Sequence, residues 1–441
     1  AQAQTTNTFT GPSGGLWSAA TNWSLGTVPT TSDPVLINSN TTVNIVSSSS
    51  GGAVTLSGNN ARINVLGNAL NASNVTLTGT AGNNVYIFAD AGTLNLGGGT
   101  GTLATSGGVT SWLTLNNGTS SLNLASATVT YFWLASSGAA ATTTITNGQT
   151  FNNTVTILGS DNGSVATLNL NGGTFNAGDM YFNFANASST ASANLNGGAT
   201  LTAGLISRGF DGSGQSFNWN DGTIQNRSGG NLTISRGANA TQDMVLSLAG
   251  TGTHTFNADS GRTITVASTA TLADKSGEQG TLAKAGAGEL IFQGTNTYTG
   301  LTTINAGTLT LSSGSAIADT GAVTLSNASG ATLAVNSSET IGSLRGGGST
   351  GGNVSVASGQ ILTVAETGNQ AFAGAITSAG GLTKSGAGTT RLSGANTSSG
   401  ATTIAAGTLQ VGDGGTTGAI GSTSGISISN GATLAFNRSD S

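Results

Sequence analysis

Sixteen carboxylates and one histidine are the residues of this 441-residue chain best suited to acid–base chemistry. Glycoside hydrolysis needs two carboxyl groups about 5–9.5 Å apart, one of them kept protonated by its surroundings. Here the acids are dispersed, mostly beside Gly, Asn or Ser in turn-like contexts. Charge concentrates locally only over Arg208, Asp211, Asp221, Arg227, Arg236, Asp243, Asp259 and Arg262. If the chain coils in rungs of ~20 residues, Asp211 can stack over Asp221 or Asp243. Mixed signs at this spacing predict a solvated face or inter-rung ion pairs ahead of an active site. His254 has no Gly-x-Ser-x-Gly elbow to serve, so a surface or packing role is expected. No catalytic residue is assigned, and the chain is not expected to be an enzyme.

Metal and nucleotide chemistry fare no better. Asp161-Asn162-Gly163 and Asp211-Gly212-Ser213-Gly214 resemble pieces of calcium loops, but neither has EF-hand or nonapeptide spacing, and plain turns are expected. Cysteine is absent, which excludes disulfides, Cys-ligated zinc and iron–sulfur clusters. Gly97-Gly98-Gly99 and Gly346-Gly347-Gly348 lack the strand–helix context of a phosphate loop. No metal site and no cofactor are assigned.

Aromatic residues form 5% of the chain, yet they recur in groups: Tyr86 with Phe88, Tyr131-Phe132-Trp133, and Tyr181-Phe182 with Phe184. The interval is about 45–50 residues, near two rungs. Core packing is the first expectation for these groups. In an extended strand, however, Phe132 must face opposite to Tyr131 and Trp133. One set can therefore fill a core while the other forms an outward platform for sugars or another subunit. Tyr131, Trp133, Tyr181 and Phe184 are the candidate ligand-binding residues. Trp17 and Trp23 are expected to plug an open N-terminal end, as solenoids require caps.

The elements that must carry these residues are strands. Charged residues make up 6% of the chain, Gly numbers 71 and Pro 3, while hydrophobic residues reach 36%. That is too apolar and too rich in β-branched residues for disorder. Val, Ile, Leu and Thr alternate with small polar residues, as in Leu94-Asn95-Leu96 and Leu168-Asn169-Leu170, and turn signals follow every 8–12 residues or so. Helices are disfavoured because no long window lacks Gly. A sandwich array or a solenoid would satisfy this pattern. One rung of ~20 residues buries about five apolar side chains at about 1.5–3 kcal/mol each, against about 1–2 kcal/mol per residue of ordering entropy. Rungs must therefore stack to be stable. Net charge is −5 and the 11 basic residues are scattered, which argues against nucleic acid as a partner. No stretch approaches the ~20 apolar residues of a membrane span.

Repeats sharpen the choice. Leu282-Ala283-Lys284-Ala285-Gly286-Ala287-Gly288 returns as Leu382-Thr383-Lys384-Ser385-Gly386-Ala387-Gly388. Gly294-Thr295-Asn296, Gly300-Leu301-Thr302-Thr303-Ile304 and Gly307-Thr308-Leu309 return at the same offset of about 100 residues, as Gly394-Ala395-Asn396, Gly400-Ala401-Thr402-Thr403-Ile404 and Gly407-Thr408-Leu409. This pattern resembles the passenger-associated transport repeat of bacterial autotransporter passengers. The second copy is degraded, with Thr390 and Arg391 at the places of Leu290 and Ile291 and Ser398 at that of Tyr298. Gly15-Leu16-Trp17, Asn22-Trp23-Ser24, Pro29 and Asp33 resemble a segment common near the start of such proteins. The resemblance implies a right-handed parallel β-helix (β-solenoid), exported to the surface of a Gram-negative bacterium. Ala1-Gln2-Ala3 has the small-x-small form of a signal cleavage site. No outer-membrane barrel is legible, and Asn437-Arg438-Ser439-Asp440-Ser441 falls in the middle of a repeat.

The expected organisation is an N-terminal cap region over 1–40, a β-helix with irregular rungs over 41–279, and a β-helix with autotransporter-associated repeats over 280–441. The expected role is a structural stalk, surface layer or self-associating filament. A surface adhesin for glycans or host protein stands second, and an enzyme acting on polysaccharide last.

Overall fold

The computed structural model describes residues 4–185, 188–211, 214–377 and 379–439. Ala1-Gln2-Ala3, Asp440 and Ser441 lie outside them. Among the described residues the regular structure is all β, with two 3-10 turns at Ala20–Asn22 and Gly97–Gly99 and no α-helix. The chain is a parallel β-solenoid. It divides into two compact units, Ala1–Phe217 with Arg236–Gln242, and Asn218–Ser235 with Asp243–Ser441.

In the first unit, alternation converts sequence into architecture. Ala61–Leu66, Asn84–Asp90, Thr110–Asn116, Ser126–Leu134, Thr150–Leu158 and Thr174–Phe182 pair in parallel, each with the next. Parallel neighbours in register place like-facing positions directly above one another. Ile63, Ile87, Leu113, Phe132, Thr156 and Met180 therefore make one inward column, and Val65, Ala89, Leu115, Leu134, Leu158 and Phe182 a second. Phe132 packs on Phe151 and Phe175 at ring separations of 4.8 and 5.9 Å, and Phe151 stacks on Phe175 at 5.3 Å. Each such pair adds about 0.5–1.5 kcal/mol beyond area burial. Of the aromatic groups expected to fill the core only Phe132 and Phe182 do so, joined by Phe151 and Phe175 from outside those groups. Tyr86, Phe88, Tyr131, Trp133, Tyr181 and Phe184 stay out of it because alternation turns them to the other face.

Asparagines line other faces as ladders. Asn95 Nδ2 donates to Asn71 Oδ1 at 2.8 Å, and Asn123 Nδ2 donates to Asn95 Oδ1 at 2.7 Å. Asn194 and Asn196 donate likewise to Asn169 and Asn171. An amide carries both donor and acceptor, so identical residues one rung apart satisfy one another. Near the start, Trp17 and Trp23 are buried together with Phe9, the Trp23 indole N–H donating to the Trp17 carbonyl at 2.7 Å.

The second unit repeats the device with shorter strands. Glu289–Phe292, Thr308–Leu311, Thr332–Val335 and Asn353–Val356 pair in parallel and stack Leu290, Leu309, Leu333 and Val354 inward. The two repeat copies share their lysine and asparagine contacts. Lys284 and Lys384 point inward, and their ammonium groups donate to main-chain carbonyls of the turns that follow. Asn296 and Asn396 clamp adjacent rungs, each accepting from one backbone N–H and donating to one carbonyl. Gly307 and Gly407 both sit at φ 65°, and a Cβ on Gly307 would lie 2.2 Å from the Gly288 carbonyl oxygen. At Thr390, which replaces an inward leucine, the buried hydroxyl has no hydrogen-bond partner.

Candidate functional site

The charged cluster forms turns. Asp211 accepts from the Thr241 N–H and hydroxyl and from the Gln242 N–H, with Arg208 3.6 Å away. The Thr241 hydroxyl, then these backbone donors, hold its carboxyl down at about 2, the reverse of what a general acid requires. Asp259 accepts from Gln225 and Asn226. Asp221 and Asp243 belong to the second unit and Asp211 to the first. His254 is fully buried, with Nδ1 2.6 Å from the Thr281 carbonyl and its ring edge-on to Trp219 at 5.3 Å. Burial lowers its pKa, so it is a neutral packing residue with Nδ1 as the donor.

Among the described residues no group of three or more His, Cys, Asp or Glu is placed to hold a metal ion. Asp161 accepts from the Ser137 N–H at 2.7 Å and the Ser160 hydroxyl at 2.9 Å, which makes it a turn residue. In the second calcium-like string, Gly212 and Ser213 lie outside the described residues.

The outward side of the strands Ala61–Leu66 to Thr174–Phe182 is different in kind. Register aligns Arg62, Tyr86, Trp112, Tyr131, Val155 and Asp179 in one outer column. Asn64, Phe88, Thr114, Trp133, Ile157 and Tyr181 form the next. Trp112 and Tyr131 stack at 4.0 Å with planes 12° apart, and Tyr86 continues the stack at 6.2 Å. Trp133 leans toward Trp112 at 5.7 Å. The Arg62 guanidinium lies 5.0 Å from the centre of the Phe88 ring. Arg62, Tyr86, Phe88, Trp112, Thr114 and Trp133 line an open groove of about 370 Å³, bounded further along by Ser136, Ser137 and Asp161.

The structure thus brings Tyr131 and Trp133 into one surface and adds Arg62, Phe88, Trp112 and Thr114 to it. Tyr181 and Phe184 lie further on as an edge-to-face pair at 5.2 Å, with Phe184 41% exposed. The Tyr181 hydroxyl donates to Asp179 at 3.5 Å. Trp112 escaped the sequence reading because rungs differ in length, so no fixed interval points to it. Arg62 gave no signal of its own.

Among the described residues the chain is thus an all-β parallel solenoid with an outward aromatic face. The family described as passenger-associated-transport-repeat matches residues 282–311 and 382–411, the two copies whose lysine and asparagine contacts coincide. The adhesin BmaC autotransporter of Brucella suis biovar 1 (strain 1330) is 38% identical over 162 residues, which cover 33% of this chain and 5% of that protein. No solved structure gives a significant match. The chain thus carries two passenger-associated transport repeats and is similar to autotransporter passengers, which points to the extracellular side of a Gram-negative cell surface. The family fits a non-catalytic domain. The chain spans about 5% of the length of the curated relative it matches. Among the described residues no helix is long and apolar enough to cross a membrane.

Proposed function

We propose that this passenger segment works as the binding shaft of a surface adhesin, with the outer aromatic face of its first unit as the contact surface. The observation that carries this reading is the alignment of Tyr86, Trp112 and Tyr131 in one outer column, with Phe88 and Trp133 in the next. A solenoid gains little by concentrating large rings on its outer side, whereas exposed apolar patches on soluble proteins mark interaction sites. Aromatic side chains also dominate interface energetics. The relative's name, an adhesin, supports the same ordering and lifts the adhesive role above the structural one that composition favoured.

Attachment of host cells, and of matrix-coated and glycan-coated surfaces, to the purified chain tests the proposal. The double variant Trp112→Ala, Trp133→Ala should lower attachment severalfold while the far-UV circular dichroism spectrum is retained. Equal attachment by both proteins counts against the aromatic face. The structural reading, a stalk, layer or self-associating filament, draws support from the sparse charge, 6% of residues, which opposes self-contact only slightly. Concentration-dependent fibres in negative stain, with no attachment to any surface, would favour it.

A further inference from the structure

Asn-Gly is a dipeptide at which a chain can modify itself. Glycine has no Cβ to shield its backbone nitrogen and few conformational limits, so that nitrogen can reach the side-chain carbonyl carbon of the asparagine before it. In the first unit the dipeptide begins at Asn117, Asn147, Asn162, Asn171 and Asn196.

Asn147 and Asn162 occupy the same kind of turn. The Gln149 N–H donates to the Thr146 carbonyl at 3.0 Å, with Gly148 at φ 83°, and the Ser164 N–H donates to the Asp161 carbonyl at 3.0 Å, with Gly163 at φ 74°. A left-handed third residue suits glycine in such a turn. Both asparagines and both glycines are exposed, and a Cβ on either glycine would meet no atom within 4 Å. Their partners differ. Ser188 bridges the second turn: its hydroxyl donates to Asn162 Oδ1 at 2.7 Å and accepts from the Gly163 N–H at 3.1 Å. At the first turn neither the Asn147 carboxamide nor the Gly148 N–H has a hydrogen-bond partner among the described residues.

The other sites are restrained too. Asn196 Nδ2 donates to Asn171 Oδ1 at 2.8 Å, which holds both carboxamides, and the Gly172 N–H donates to the Asn196 carbonyl at 3.0 Å. Gly118 lies in a strand, in register with Ala141. Attack needs a deprotonated glycine nitrogen and a carboxamide free to turn. A hydrogen bond donated by the N–H favours its protonated form, and a bonded carboxamide must give up that bond first. Asn147-Gly148 is free of both restraints.

We infer that Asn147 is a site of spontaneous deamidation in the folded chain, and that Ser188 and the asparagine ladder protect Asn162 and Asn171. The Gly148 nitrogen, having lost its proton to hydroxide, bonds to Asn147 Cγ. The Cγ–Nδ2 bond then breaks, and the amide nitrogen takes up a proton and leaves as ammonia. Water opens the resulting succinimide at either carbonyl, giving aspartate or, with the backbone routed through the side chain, isoaspartate. Each event adds one negative charge to a chain of net charge −5. The rung survives because Gln149 anchors the turn. Its Oε1 accepts from the Thr146 N–H at 2.7 Å, and its Nε2 donates to the Leu122 and Leu124 carbonyls at 2.8 and 3.0 Å.

The test incubates the whole folded chain at neutral and mildly alkaline pH and follows each Asn-Gly peptide by mass spectrometry, with isoaspartate measured by enzymatic methyl transfer. Asn147 should convert about tenfold faster than Asn162 and Asn171, the worth of roughly one hydrogen bond, and its rate should rise with pH. Ser188→Ala should bring Asn162 close to the Asn147 rate. In urea, where the turns are lost, these rates should converge. Circular dichroism of the incubated chain should show the fold retained. Equal rates at Asn147 and Asn162 in the folded parent overturn the inference, and so does a folded Ser188→Ala chain whose Asn162 stays as slow as before. Should Ser188→Ala unfold, the comparison within the parent decides.

Discussion

Lys284 and Lys384 carry ammonium groups into the solenoid, and backbone carbonyls receive them. Lys284 Nζ lies 2.8, 2.8 and 3.1 Å from the carbonyl oxygens of Ala285, Gly286 and Ala306, so its three donors are used. Lys284→Ala should cost about 3 kcal/mol, since each orphaned acceptor costs about 1–3 kcal/mol less whatever water recovers; urea unfolding measures it. Burial also pulls the folded pKa of Lys284 down from 10.5 to about 8. Between those values the unfolded chain still holds a proton that the folded chain has released, so stability rises with pH there. Glu339 acts oppositely. Burial raises its carboxyl from 4.5 to about 7 against the pull of the Ile317 and Ala316 N–H groups. As pH climbs from 4.5 to 7 the unfolded chain loses its proton first, and the Glu339 contribution to stability falls. Melting temperatures across that window should decline, and Glu339→Gln should flatten the decline.

At the scale of the strand, identical residues one rung apart act together. Asn95 is the middle member of the ladder that runs from Asn71 to Asn123, engaged on both sides. Asn95→Ala removes two side-chain hydrogen bonds and should destabilise by about 1–2 kcal/mol, with Asn123→Ala costing roughly half as much. Equal losses from both substitutions would show that the ladder is not the source of the effect. The aromatic face follows the same logic of register. Tyr131 and Trp133 form a surface because Trp112, Tyr86 and Phe88 lie at matching positions on neighbouring strands. Tyr181 and Phe184 share the outer side with Val155 and Ile157 as neighbours and form only their own pair.

For the molecule as a whole, surface charge has little part in stability. With 6% charged residues and exposed ion pairs such as Arg391 with Asp413 at 3.0 Å, screening has little to remove. Raising ionic strength from about 0.05 to 0.5 M should shift the melting temperature by no more than about 2 °C; a larger drop would reveal a charge network. Much of the fold was legible before any coordinates. Alternation of apolar and small residues fixes strand faces locally, and the two repeat copies announce a stacked architecture. The opposite orientations of Phe132 and its neighbours Tyr131 and Trp133 followed from strand geometry alone; that Phe132 is the buried one came from the packing. Which outward residues meet was not legible, because rung length varies and lateral register is a non-local property. Trp112 stacks on Tyr131 only because the intervening turns end where they do. The sequence by itself determined a β-solenoid passenger with repeats and dispersed acids. Only the tertiary structure decided that Arg62, Phe88, Thr114 and Trp133 share one groove, since parallel pairing converts positions distant in sequence into adjacent rungs.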